Sequence, residues 1–90
     1  MSDNVYQPAK EGAFLIHYRV QNPGKYSLRI YNSAGELVRE LLDLESRWPV
    51  VDDVPWDGKN MNGEWVASDV YVIFFESDRY VRVAKILVVR

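Results

Sequence analysis

The chain has 90 residues, enough for one domain around one hydrophobic core. Hydrophobic residues make up 48% and charged residues 27%, with a net charge of -2, which excludes an intrinsically disordered chain and a basic nucleic-acid-binding surface. It contains no cysteine, which excludes disulfides, thiolate metal ligands and thiol catalysis.

Residues 1–12 are polar and form an N-terminal extension, with a short edge strand expected around Val5 and Tyr6 and a loop over residues 8–12. They hold no signal peptide, so the chain is expected either to be cytoplasmic or to be a module of a longer secreted protein, at the cell surface or outside the cell. The strongest apolar runs, residues 70–75 and 86–89, are too short to cross a bilayer, and no membrane insertion is expected.

The next segments alternate apolar and polar residues with a period of two, which is typical of half-buried strands. Such alternation covers residues 13–20 and 25–31, and a turn containing Pro23 and Gly24 joins them. Residues 36–42 are apolar in pairs, a spacing that two helical turns would also give. Their short length and their place after a strand and a turn favour a hairpin partner.

Residues 43–53 are the least regular and predict a long connection with a short strand. A brief strand is expected at residues 54–56, where Pro55 confines it to an edge or a bulge. A polar loop follows, and residues 70–76 and 80–90 are expected to be the last two strands. We therefore predict an all-β, immunoglobulin-like or fibronectin III-like antiparallel sandwich of about seven strands, with its domain at residues 13–90.

Three stretches together resemble the FlgD Ig-like domain family, named from the flagellar hook-capping protein. They are residues 28–41 (LRIYNSAGELVREL), residues 54–58 (VPWDG), and residues 70–71 (VY) running into 85–90 (KILVVR). The chain departs from that family at Asp69, where the family usually has glycine. The resemblance implies an Ig-like module of bacterial surface or secreted proteins that acts as a spacer, a sorting tail or an assembly contact, and it implies no enzyme.

Two candidate sites have simpler interpretations. His17, the only histidine, lies mid-strand and is expected to be an ordinary strand residue, because catalysis would need a positioned partner and a nucleophile or metal. Five residues in or just after the polar loop invite a calcium interpretation: Asp57, Asn60, Asn62, Glu64 and Asp69. An alignment on Asn60, Asn62 and Gly63 places Asp69 at the last ligand position of a calcium loop, but Gly58 then falls where the first ligand is needed. We therefore expect these side chains to bond local backbone, with no metal and no cofactor.

Four aromatic residues offer the second functional interpretation, a small carbohydrate-binding module. They are Tyr6, Trp48, Trp65 and Tyr80, and exposed aromatic faces can stack on sugars. In so short a sandwich, however, most aromatics are expected to build the core. We expect Trp56 and Tyr71 to be buried, with the Tyr71 hydroxyl bonded to nearby backbone in a tyrosine corner.

The last two strands are apolar on both faces. If Tyr71, Ile73 and Phe75 face the core, Val72 and Phe74 point outward, whereas a solvated face should carry polar residues. Val88 is assigned to the same outer patch. These three residues predict either a protein interface or a surface covered by the 43–53 connection. The expected function is a non-catalytic assembly module whose partners are proteins, in a bacterial surface or secreted assembly.

Overall fold

The computed structural model describes residues 4–90, which fold into seven strands and one short helix. The elements are β1 (Asn4–Tyr6), α1 (Pro8–Glu11), β2 (Phe14–Val20), β3 (Gly24–Tyr31), β4 (Leu37–Ser46), β5 (Val50–Trp56), β6 (Asp69–Ser77) and β7 (Val81–Val88). Among these residues no helix is long and apolar enough to cross a membrane.

The strands form two sheets of unequal size. The first has five strands in the order β1-β7-β6-β3-β4, and the second contains only β2 and β5. All pairs are antiparallel except β1 with β7, which is parallel. The predicted all-β sandwich of about seven strands is confirmed, with that one parallel pair as a departure.

The core lies between the sheets and is rich in aromatic residues. Trp56 is fully buried, and its ring packs against Tyr6 and Tyr71 at centroid distances of 5.8 and 5.9 Å. The Trp56 Nε1 donates to the Lys59 carbonyl at 3.0 Å, and the Tyr71 hydroxyl donates to the Ala67 carbonyl at 2.7 Å. The predicted burial of both residues and the tyrosine corner are confirmed.

The N-terminal segment contributes to the core. Tyr6 of β1 is fully buried, and its hydroxyl donates to the carbonyls of Gly12 and Trp56. The loop expected over residues 8–12 is instead the single helical turn α1, which Pro8 begins, as its fixed φ and missing N–H allow. The boundary between an extension and a domain at residue 13 stays a prediction.

Residues 36–56 are more regular than expected. The hairpin interpretation of residues 36–42 is confirmed, because β4 pairs with β3 along its length. Two register shifts in this pair leave Val38 and Leu41 without direct partners, and both pack against the core. These bulges explain the helix-like pairs of apolar residues. The prediction of a long connection over residues 43–53 is wrong, because residues 43–46 continue β4 and residues 50–53 belong to β5.

Asp69 replaces the glycine that the resembled family usually has, without strain. No non-glycine residue between 4 and 90 has a positive φ, so Asp69 needs no left-handed conformation. Its Oδ2 accepts from the Ser33 hydroxyl at 3.0 Å, which ties the start of β6 to the turn between β3 and β4.

Candidate interaction surface

The outer face of the five-stranded sheet carries the residues that the alternation singled out. In β6, Tyr71, Ile73 and Phe75 are buried in the core, so Val72 and Phe74 project from the opposite face. Both are half-buried by their neighbours on the sheet. The predicted orientation of Val72 and Phe74 is confirmed.

Strand pairing places the neighbours of Phe74. Across β6, Phe74 is opposite Arg29 of β3 and Val83 of β7, and its ring meets that of Tyr31 edge to face at 6.0 Å. Lys85 of β7 is opposite Val72. The register of three strands therefore places Tyr31, Val83 and the side chain of Arg29 around Phe74, an arrangement that sequence spacing within one strand does not show.

Val88 does not lie on this face, so the prediction that it belongs to the outward-facing surface with Val72 and Phe74 is wrong. It is 0% exposed and lies in the core beside Ile86. Because residues 86–89 are all apolar, their sequence does not show which side chains face the core. A shift of one position moves every side chain to the opposite face of the sheet. Leu87, which is 38% exposed, is the residue of β7 that points outward near this end.

The outer face is exposed to solvent over several strands. Besides the half-buried Val72, Phe74 and Tyr31, this face carries the exposed apolar residues Val5, Leu37, Val70, Val81, Val83 and Leu87. The alternative, that the 43–53 connection covers this face, is wrong. Residues 43–46 lie within the sheet as the end of β4, and residues 50–53 pair with β2 in the second sheet. The outer face of the five-stranded sheet is called the outer patch from here on.

Charged residues border the outer patch. Arg29 Nε donates to Glu40 Oε2 at 2.8 Å, and this hydrogen bond raises the pKa of the guanidinium above its usual range. Lys85 and Glu76 are exposed and form no ion pair with any residue from 4 to 90. The patch therefore has one internally neutralised pair. Among residues 4–90 its charges without an ion pair are Lys85 and Glu76, together with Lys25, Asp43 and Glu45, which the pairing of β3 with β4 places on the same face.

His17 lies on β2 at the surface of the second sheet, as predicted for an ordinary strand residue. Its Nδ1 is 2.8 Å from Asp53 Oδ1 on the neighbouring strand, and both side chains are more than half exposed. The pair sits on an open face with no nucleophile in hydrogen-bond contact. The geometry is that of an exposed cross-strand pair, and the absence of a catalytic role for His17 stays a prediction.

The polar loop after β5 uses its side chains to hold backbone. Asp57 Oδ1 accepts from the Lys59 N–H at 3.0 Å, and Asn60 Oδ1 accepts from the N–H groups of Asn62 and Glu64 at 2.9 and 3.0 Å. Arg39 Nη1 donates to Asp57 as well, at 3.1 Å. These oxygens are therefore already engaged by protein donors, and the absence of a metal here stays a prediction.

The same turn occurs twice. In residues 32–36 (NSAGE) and 60–64 (NMNGE), the asparagine Oδ1 accepts from the N–H groups two and four residues later. In both, the asparagine carbonyl accepts from the glycine N–H, and that glycine has φ near +80°. The first copy simply joins β3 to β4, which indicates that the second copy is also a structural turn.

The four aromatic residues proposed as a sugar platform do not come together. Tyr6 is in the core, and Trp48 lies between β4 and β5, near the end of β2 that carries Val20. Trp65 lies near the other end of β2, beyond Trp56, where Lys59 Nζ is 4.8 Å from its ring centroid. The Tyr80 hydroxyl donates to the Arg19 carbonyl. The sequence-based grouping therefore yields no single stacking surface.

Comparison with known proteins gives one informative similarity. No family model matches this chain, and no curated protein matches it. Among solved structures, the chain is similar to part of PorZ, an essential bacterial surface component of the type-IX secretion system of Porphyromonas gingivalis, with a TM-score of 0.53 and 23% sequence identity. The similarity covers 82% of this chain and 11% of the PorZ chain. At this identity it establishes the fold that the two share.

Proposed function

We propose that this chain is a non-catalytic structural module that assembles through protein–protein contacts in a bacterial surface or secreted system. The observation that carries the proposal is the outer patch, where Phe74 stands among exposed apolar residues on several strands. An exposed sheet face with this many apolar residues supports a protein contact. The resemblance to the FlgD Ig-like family and the fold shared with a surface secretion component support the location.

The partner that we propose is a second copy of the chain. On the outer patch, Lys85 lies level with Val72 and Glu76 lies two residues beyond Phe74 on β6, so the two charges flank Phe74 along the strand direction. When two copies pack face to face with their β6 strands antiparallel, each Lys85 comes to the level of the other copy's Glu76. A two-fold contact requires such self-complementarity.

The energy of this contact would come from its centre. Aromatic side chains in the desolvated middle of an interface carry most of the binding energy, and charged pairs at the rim contribute mainly to orientation. Phe74 and Tyr31, packed edge to face, form that centre. Lys85 and Glu76 form the rim.

Light scattering tests the proposal. We expect the molar mass of the wild type to rise with concentration above the 10.5 kDa of the single chain, and Phe74→Asp to remain monomeric and folded. The matched control is Val51→Asp, which places the same charge on an exposed strand residue of the second sheet. A Phe74→Asp variant that assembles like the wild type would contradict the proposal. Retention of the wild type on a polysaccharide column would favour the carbohydrate-binding alternative instead.

A further inference from the structure

The inner face of the five-stranded sheet is wider than the two-stranded sheet that covers it. On β7, Ile86 and Val88 face the core and are buried, but Arg82 and Ala84, which share their face by alternation, are exposed. The uncovered area lies beside β2 and forms a groove of about 590 Å³. Its floor is apolar and includes Leu28, Ile73, Phe75 and Ala84.

The wall of the groove is an unpaired strand edge. Among residues 4–90, β2 pairs with β5 alone, so no strand of the described part of the chain occupies its other edge. The Arg19 carbonyl accepts from the Tyr80 hydroxyl at 2.6 Å, which shows that Arg19 directs its backbone away from β5. In an antiparallel pair every second residue points its N–H and carbonyl away from the partner strand. Leu15 and His17 therefore also point these groups toward the free edge of β2. Pro55 is opposite Leu15 and has no N–H, which is consistent with a pair of residues that exchange no backbone hydrogen bonds.

The charge of the groove is of one sign. Arg19 and Arg82 line it, and no carboxylate is among the residues that line it; His17, which also lines it, has its Nδ1 at 2.8 Å from Asp53 Oδ1. Neither Arg19 nor Arg82 forms an ion pair with any residue from 4 to 90, and Arg82 lies 4.9 Å from the ring centroid of Tyr80. An extended segment entering here would meet backbone donors and acceptors on one side, apolar side chains beneath, and two arginines at the end beside Tyr80.

We propose that this groove accepts one strand of a partner protein, an extended segment with alternate apolar residues and an acidic residue at the end that lies beside Arg19 and Arg82. The segment would extend the second sheet by pairing with the free edge of β2, with main-chain hydrogen bonds to Leu15 and His17. Its apolar side chains would cover Ala84 and the rim of the apolar floor, and the carboxylate at the end beside Tyr80 would lie close to Arg19 and Arg82. The groove lies on the inner side of the five-stranded sheet, so this inference is independent of the outer patch.

The test uses a capped peptide, acetyl-Glu-Val-Thr-Val-Thr-Val-Glu-amide, titrated into the ¹⁵N-labelled chain. We expect amide shifts centred on Leu15, His17 and Arg19. His17→Pro removes one edge N–H where proline is tolerated, and it should weaken binding about tenfold or more, whereas His17→Ala should not. Arg82→Glu should weaken binding similarly, and Arg47→Glu, which changes the net charge equally outside the groove, should not.

Several outcomes would overturn the proposal. They are the absence of shifts at about 1 mM peptide, equal binding by His17→Pro, and equal binding of a peptide with lysine in place of glutamate. If His17→Pro does not fold, the comparison of Arg82→Glu with Arg47→Glu decides. Shifts at Leu15 and His17 that appear on raising the protein concentration without peptide would show that a second copy occupies the edge, which also overturns the proposal.

Discussion

At the scale of single residues, Trp56 joins most of the structural features of the domain. It is fully buried, contacts Tyr6 from β1 and Tyr71 from β6, and donates to the loop carbonyl of Lys59. It therefore connects the N-terminal strand, both sheets and the polar loop. Phe74 has the opposite character, since it lies outside the core and its removal leaves these contacts in place.

Replacing Trp56 should unfold a large fraction of the protein. Trp56→Ala leaves a cavity among aromatic rings and should lower the free energy of unfolding by about 3–5 kcal/mol. Trp48→Ala is the control, because Trp48 is 74% exposed, and it should change stability by less than about 0.5 kcal/mol. Urea denaturation measures both. A Trp56→Ala variant with an unchanged midpoint would remove Trp56 from the core.

Tyr18 should make stability depend on alkaline pH. Burial, first, and the neighbouring Tyr26, whose ring centroid is 5.7 Å away, raise the pKa of Tyr18 from 10.0 to about 12. The stability that Tyr18 contributes is complete at pH values below its unfolded pKa of 10.0 and is lost as the pH rises through about 12. Over this range the Tyr18 hydroxyl ionises readily only in the unfolded chain, which favours unfolding. Tyr18→Phe cannot ionise, so its free energy of unfolding should fall less steeply over this range. Equal slopes for variant and wild type would contradict the assignment.

Burial also raises the pKa of Tyr6 and of Tyr71. The Tyr18→Phe variant is therefore expected to keep part of the alkaline loss of stability. Urea melts at several pH values measure the difference between the two slopes.

At the scale of elements, the repeated turn explains the chemistry of the polar loop. Residues 32–36 and 60–64 have the same pattern, Asn-x-x-Gly-Glu, and the same hydrogen bonds. A pattern that serves as a simple strand connection in one place does not need a ligand to form in another. The pattern is visible in the sequence, and it is a better guide to this loop than a comparison with calcium loops.

The polar loop should therefore bind no calcium. Asp57 and Asn60 already accept backbone hydrogen bonds, and Arg39 and Lys59 place positive charge beside them. Calorimetric titration of the wild type with calcium should show no saturable heat. Micromolar affinity that is lost in Asp57→Ala would overturn this interpretation of the loop.

The sequence was informative wherever alternation was clean. The phases of β2, β3 and β6 follow from their patterns, and so do the inward position of Tyr71 and the outward position of Phe74. Val88 was assigned to the wrong face because an unbroken run of apolar residues does not show which positions face the core. The strands within residues 43–53 were hidden by their acidic, exposed residues, since an exposed strand needs no alternating apolar face.

At the scale of the whole molecule, the division of seven strands into five and two was beyond the sequence. Which sheet a strand joins depends on pairings between residues distant in the chain, such as Phe14 with Trp56. That division creates both surfaces discussed above, because it makes a broad outer patch and leaves part of the inner face beside β2 uncovered. The function that we propose is a consequence of this asymmetry.

The most direct test of the central claim is a charge exchange across the proposed two-fold contact, measured by concentration-dependent light scattering. Lys85→Glu and Glu76→Lys should each weaken dimerisation about tenfold, because each places like charges opposite one another. The double variant should restore wild-type affinity, because opposite charges again face each other. Two substitutions that each damaged the surface independently would not restore it. If the double variant is as weak as the single variants, or if all three dimerise like the wild type, the outer patch does not make this contact.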